Sequence, residues 1–116
     1  MHNNRVGAEG EQAVTEWLKK EGFAIRCINY QTRFGEVDII AQKKELWVFV
    51  EVKTRTTITF ALSEVITPSK QKKIIKTAYA YIHAHNIVNS VFRFDVALVE
   101  LNKSITYIPN AFSERQ

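Results

Sequence analysis

A single cysteine, Cys27, stands among the 116 residues, so the chain forms no internal disulfide and carries no thiolate metal cluster. The three histidines build no zinc site either: His83 and His85 would project about 200° apart on a helix, and His2 lies at the terminus. With only four glycines and two prolines, the sequence has no glycine-rich loop of the phosphate-cradling kind, no internal repeat and no low-complexity tract. A Ser/His/Asp nucleophile set is also missing. No apolar run approaches the length needed to span a membrane, and Met1-His2-Asn3-Asn4-Arg5 leads into nothing of signal-peptide type. A cytoplasmic location is the expectation.

At 116 residues, with 46% hydrophobic and 24% charged residues, the chain is long enough for one core and too short for two. Residues 1–116 are therefore read as one domain. Basic residues exceed acidic ones for a formal charge of +4, and Lys70, Lys72, Lys73 and Lys76 crowd into seven positions. Such a surface favours a polyanion such as nucleic acid, although a charge of this size is also common on proteins that bind none.

Apolar residues are dense between Gly35 and Lys53. Gly35-Glu36-Val37-Asp38-Ile39-Ile40-Ala41 and Leu46-Trp47-Val48-Phe49-Val50-Glu51-Val52-Lys53 read as two strands joined by the polar segment Gln42-Lys43-Lys44-Glu45. Asp38, Glu51 and Lys53 interrupt them where a core should continue. Alternation places Glu51 and Lys53 on one face with Val50 and Val52 on the other, and places Glu36 and Asp38 together on a face of the first strand. A hairpin with Ala41 opposite Leu46 sets Glu36 opposite Glu51 and Asp38 opposite Phe49, so Asp38 and Glu51 become diagonal neighbours roughly 7–8 Å apart. Two carboxylates that converge repel unless a cation or a shared proton relieves them, and hard oxygen ligands suit Mg²⁺ or Mn²⁺ rather than zinc. Lys53, further along the same face, can orient a water or neutralise charge building on a phosphate. The plainer reading is a same-face ion pair of Glu51 and Lys53 on an edge strand.

From about Val6 to Glu21 the pattern is helical, with Val14, Trp17 and Leu18 on one stripe and Gly22 as terminator. Glu11 projects within about 20° of Leu18, on the buried stripe. Either it exploits the positive end of the helix dipole, or it reaches toward Asp38 and Glu51 as a third acidic group, with Gly7 and Gly10 permitting close approach to the sheet. Phe23 to Ile28 reads as a first strand, and residues 56 to 66 as a loop with a short extended piece. Thr67-Pro68 opens a second helix to about His85, burying Ile74, Ile75, Ala78, Tyr79, Ile82 and His85. Its lysines oppose the helix dipole; a phosphate ligand and a solvated face are the two accounts of them. Phe92 to Leu101 and Ser104 to Ile108 close the chain as strands, with Asp95 paired to Arg93 or capping a segment rather than binding metal. Arg33 and Arg55 flank the hairpin, where they contact phosphates or simply face solvent. The two tryptophans and most of the aromatic residues sit in apolar patterns and are assigned to core packing rather than to base stacking.

Asp38 followed by Glu51-Val52-Lys53 resembles the motif of the PD-(D/E)xK nuclease superfamily: an acidic residue, a spacer, then Asp or Glu, any residue and Lys. Gly35 to Ile40 and Phe49-Val50-Glu51-Val52-Lys53-Thr54-Arg55 together resemble the YraN family of small bacterial proteins, related in fold to archaeal Holliday-junction resolvases and restriction endonucleases. The resemblance extends to Gly7-Ala8-Glu9-Gly10-Glu11, Lys70-Gln71, Arg93-Phe94-Asp95-Val96 and Asn110-Ala111-Phe112. It implies a restriction-endonuclease-like α/β fold, a central mixed β-sheet flanked by α-helices, where pattern alone reaches only a one-domain α/β chain. The family's usual Phe-Gly is Phe60-Ala61 here, so the loop differs in shape if that glycine serves a positive φ. Glu64 matches an acidic position of the family.

The resemblance also implies a metal-dependent DNA endonuclease. Asp38, Glu51 and the Val52 carbonyl would hold Mg²⁺ or Mn²⁺, Glu11 would complete the outer side, and Lys53 would orient the attacking water, with Gln71 assisting. Lys70, Gln71, Lys72, Lys73 and Lys76, with Arg33 and Arg55, are the expected DNA contacts. Branched or otherwise structured DNA is the expected substrate, and a homodimer would supply the two active sites that junction resolution needs. The alternative is a non-catalytic DNA-binding or scaffold domain retaining the fold, against which stands the competence of all four residues Glu11, Asp38, Glu51 and Lys53.

Overall fold

The computed structural model describes residues 3–55 and 66–114, apart from the side chains of residues 3–6 and 55. The expected loop, with Phe60-Ala61 and Glu64, lies outside them except for Ile66, as do His2 and the Arg55 side chain. Among the described residues seven elements follow in order: α1 (Asn3–Lys20), β1 (Ala24–Thr32), β2 (Gly35–Lys43), β3 (Leu46–Arg55), α2 (Pro68–Ala84), β4 (Val91–Glu100) and β5 (Ile105–Phe112). The strands form one sheet in the order β1-β2-β3-β4-β5. All neighbours are antiparallel except β3 and β4, which run parallel on either side of the crossover that carries α2. Among the described residues no helix is long and apolar enough to cross a membrane.

Among the described residues each sheet face carries one helix. Val14 and Leu18, four apart on α1, are fully buried against Ile39, Ala41, Val48, Val50, Ala97 and Val99. On the other face Ile74, Ile75, Ala78 and Tyr81 of α2 pack on Val37, Ile40, Phe49, Phe94, Val96 and Leu98. Each fully buried large side chain contributes about 1.5–3 kcal/mol. The buried stripe of α2 thus runs Ile74, Ala78, Tyr81, at i, i+4 and i+7. Tyr79, expected inside, is 44% exposed because it lies about 100° round from Ala78; its hydroxyl donates to Glu114 at 2.6 Å. His85 is likewise exposed and ends the helix, its backbone N–H donating to Tyr81 O at 3.0 Å.

Both helix starts and stops follow local chemistry. Thr67 caps α2, its hydroxyl accepting from Lys70 N at 3.2 Å, with Pro68 in the first turn. α1 closes at Gly22, which adopts φ 97° while Phe23 N donates back to Leu18 O at 3.0 Å. Of the two glycines expected to let α1 approach the sheet, only Gly10 does so: a Cβ there would lie 2.4 Å from Thr54 Oγ1, whereas Gly7 has open space.

The central hairpin has a different register from the expected one. Lys43 pairs with Leu46, Ala41 with Val48 and Ile39 with Val50, because Lys44-Glu45 alone makes the turn, with Lys44 at φ 55°. The shift of two residues carries Asp38 toward Glu51 instead of Phe49. β3 is also an inner strand, flanked by β2 and β4, so an edge-strand ion pair is excluded.

Candidate active site

The acidic residues gather where the alternation of β2 slips. Val37 and Ile40 pack on the α2 side, yet Ile39 and Ala41 pack on the α1 side. Two successive faces therefore change between Val37 and Ile39, and Asp38 is the residue at the change. β1 slips beside it: Cys27 and Tyr30 both pack toward α2, with Asn29 between them in the left-handed region at φ 56°. Asn tolerates that conformation better than most residues. Irregularities of this kind re-aim side chains, and here the Asp38 carboxylate turns along the sheet, Oδ2 accepting from Val52 N at 2.8 Å. A side chain has replaced a ladder bond.

Glu51 projects on the α2 side, two residues after Phe49, and is only 7% exposed. Its Oε2 lies 2.9 Å from Lys70 Nζ, on the first turn of α2. From the α1 side come Glu11 and Glu36. With its amide turned to satisfy both, Asn29 donates through Nδ2 to Glu36 Oε2 at 2.9 Å and Glu11 Oε2 at 3.2 Å. Glu11 thus reaches inward as a third acidic group, and Glu36 and Asn29 join it.

Four carboxylates share this neighbourhood, and two of them, Asp38 and Glu11, are displaced by it. Burial, the facing Glu51 carboxylate and, more weakly, Glu11 and Glu36 push the Asp38 carboxyl up to about 8 against the Val52 N–H, which pulls it down. Burial also raises Glu11, helped by Glu36 and Glu51 and opposed by Asn29. A cation relieves this repulsion.

Asp38 and Glu51 open into a cleft of about 340 Å³, whose other lining residues are Gly35, Glu36, Thr67, Ser69, Lys70, Lys73 and Ile74. One wall is acidic and the other is basic. Among the described residues no three Asp, Glu, His or Cys side chains form a cage by themselves. A hard cation would accordingly draw on Asp38, Glu51 and backbone oxygen. The donor set is all oxygen, as Mg²⁺ and Mn²⁺ prefer.

Lys53 sits two residues beyond Glu51 on the same strand and is solvent-exposed; the ion pair expected between them is made by Lys70 instead. Gln71 is turned away from the carboxylates, its Nε2 donating to Ile66 O at 3.1 Å. With Lys72 and Lys76 it lines a second cleft of about 260 Å³ together with Pro68, Ile75, Ser113 and Glu114. The lysine cluster is therefore split, Lys70 and Lys73 on the acidic cleft and Lys72 and Lys76 beyond it. Arg33 is exposed in the β1–β2 turn.

Asp95 takes the structural role expected of it. It is fully buried on the α1 side, holds Arg93 through two bonds of 2.9 and 3.0 Å, and accepts from the Tyr107 hydroxyl and from Asn110 N. Burial and the Asp95 charge push the Tyr107 hydroxyl well above its ordinary value, so it remains a donor.

A model of the family described as uncharacterised protein family UPF0102 matches residues 10–99. The chain belongs to the UPF0102 family. A UPF0102 protein of Desulfosudis oleivorans is 44% identical over 97% of this chain and 94% of its own length. Another, from Caldanaerobacter subterraneus, is 40% identical over 97% and 98%. The UPF0102 matches agree with the YraN resemblance. Among solved structures, the fold resembles that of Hjc, a Holliday junction resolvase of Archaeoglobus fulgidus, with TM-score 0.57, 19% identity and coverage of 95% of this chain and 77% of that one. The fold is restriction-endonuclease-like, a mixed five-stranded sheet with a helix on each face.

Proposed function

We propose that this protein is a metal-dependent endonuclease that hydrolyses phosphodiester bonds in DNA. The observation that carries the reading is the cleft itself, with Asp38 and Glu51 on one wall and Lys70, Lys73 and the amino-terminal turn of α2 on the other. A phosphodiester with an associated cation needs carboxylates for the cation and positive groups for the phosphate, and the two are supplied across one space. Mg²⁺ or Mn²⁺, held by Asp38, Glu51 and the Val52 carbonyl, supplies Lewis acidity toward the phosphate and the attacking water.

The chain's own groups do the remaining work. Lys70 and Lys73 neutralise the phosphate oxygens, at the positive end of the α2 dipole. Lys53, exposed at the far end of the Glu51 face, orients the water. Its oxygen bonds to phosphorus as the ester P–O bond breaks; the bridging oxygen takes a proton from solvent and leaves as an alcohol, and the attacking water's proton passes to solvent. Glu11 and Glu36, tied by Asn29, close the acidic side. The Hjc likeness, with the basic cleft, favours structured DNA, and cutting two strands of a junction requires two copies of the chain.

The contact between Lys70 and Glu51 favours a second reading, in which an internal ammonium replaces the metal and the domain binds DNA without turnover. Labelled linear, flapped and four-way DNA incubated with Mn²⁺ separate the two. The nuclease reading expects cutting by the wild type and, in Glu51→Gln, a loss of two orders of magnitude or more, the several kcal/mol that metal assistance supplies. Binding without product from any substrate would overturn it.

A further inference from the structure

Beside the acidic cleft the β1–β2 turn presents an aromatic ring to solvent. Phe34 is 37% exposed, follows directly on Arg33 and precedes Gly35, which lines the cleft. Two cations approach its ring: the Arg33 guanidinium carbon at 5.1 Å from the centroid and the Lys76 ammonium at 5.6 Å. The ring belongs to neither core cluster, and cation contacts at exposed sites are individually weak. The turn is nonetheless held firmly, since Thr32 pairs with Gly35 across it and Phe34 N donates to Thr32 Oγ1 at 3.0 Å.

The ring is continuous with the basic wall of the cleft. Lys70, Lys73 and Lys76 recur every three residues along α2, spanning roughly 9 Å. Lys70 stands at Glu51, Lys73 lines the cleft and Lys76 reaches Phe34. A row of ammonium groups ending on an aromatic face matches what an unpaired nucleic-acid strand requires: charge along the backbone and a π-surface for a base. The interior of a continuous helix keeps its bases stacked on one another and offers none.

We infer that Phe34 is a stacking platform for an unpaired nucleobase of DNA, with Arg33, Lys73 and Lys76 holding the adjoining phosphates, so that the preferred substrate has a single-stranded or branched segment next to the bond in the cleft. The inference rests on the nuclease reading for its cleft, and concerns a ring that reading does not use. The base takes the place of the Lys76 ammonium on the ring, and that ammonium moves to the flanking phosphate.

The test is binding, without cleavage, in Ca²⁺ and separately in the Glu51→Gln background. DNA duplexes with and without a single-stranded flap carry 2-aminopurine at the first unpaired position. The wild type is expected to bind flapped DNA more tightly than duplex and to change the 2-aminopurine fluorescence. Phe34→Ala and Phe34→Leu should each weaken flap binding roughly tenfold, the size of one base–aromatic stack, abolish the fluorescence change and leave duplex binding untouched. Phe34→Trp should retain all three properties. Equal flap and duplex affinity in the wild type, or a Phe34→Leu variant with wild-type fluorescence, would overturn the inference while leaving cleavage by the wild type as a separate result. Absence of cleavage by the wild type in Mn²⁺ would overturn the nuclease reading and leave the stacking difference measurable.

Discussion

The ammonium of Lys70 lies 2.9 Å from Oε2 of Glu51, a carboxylate that the fold leaves only 7% exposed. It stands where a divalent cation would be drawn. The two positive charges then compete for one carboxylate, and removing the internal one should favour the external one. Lys70→Ala is expected to raise Mn²⁺ affinity several-fold in calorimetric titration, while weakening DNA binding. An unchanged or lower metal affinity would show that the ammonium and the metal do not share Glu51.

Asp38 gives the site a pH dependence. Its carboxyl rises from 3.8 to about 8 on folding, so the folded protein holds this proton more tightly than the unfolded chain. In the metal-free protein its contribution to stability is full below 3.8, declines as pH rises, and is lost once pH passes about 8. Metal binding works against that proton, so Mn²⁺ affinity should climb about tenfold per pH unit up to about 8 and then level off. Asp38→Asn should flatten the profile; an identical slope in the variant would assign the proton elsewhere.

Gly10 sits where α1 meets β3. A Cβ there would fall 2.4 Å from the Thr54 hydroxyl, so Gly10→Ala forces Thr54 to turn or α1 to move outward and is expected to cost about 1–3 kcal/mol in urea unfolding. Gly7→Ala, in open space, should be neutral or mildly stabilising, as alanine generally is in a helix.

Asp95 is the buried anchor of β4 and β5. Asp95→Ala leaves Arg93, the Tyr107 hydroxyl and Asn110 N without their acceptor, and is expected to cost about 3–5 kcal/mol in unfolding experiments. Asp95 is on the α1 side, away from the cleft wall that holds Glu51. Metal affinity in the folded variant should match the wild type; a loss there would place Asp95 in the site after all.

Much of this was legible in the chain. The two strands around Asp38 and Glu51, the helix opened by Thr67-Pro68, and the inward reach of Glu11 follow from periodicity, capping and motif. The hairpin register was not, because a polar run such as Gln42 to Glu45 does not say how many of its residues turn; here Gln42 and Lys43 continue the strand. The slip at Asp38 was hidden for a related reason, since strict alternation is the only rule a sequence offers for a strand, and a double irregularity across β1 and β2 breaks it. Asn29 could have signalled that break, being a left-handed-tolerant residue inside a strand. Lys70 as the partner of Glu51 depends on how α2 docks, and no local pattern encodes that.

The central claim is that Asp38 and Glu51 form one divalent-cation site. Its most direct test is calorimetric titration of Mn²⁺ into the wild type and the Asp38→Asn/Glu51→Gln double variant, each with and without DNA. A saturable site in the wild type that disappears in the variant, with both proteins equally folded by circular dichroism, is the predicted result. Equal binding in the two proteins, or none in the wild type even with DNA present, would contradict the account.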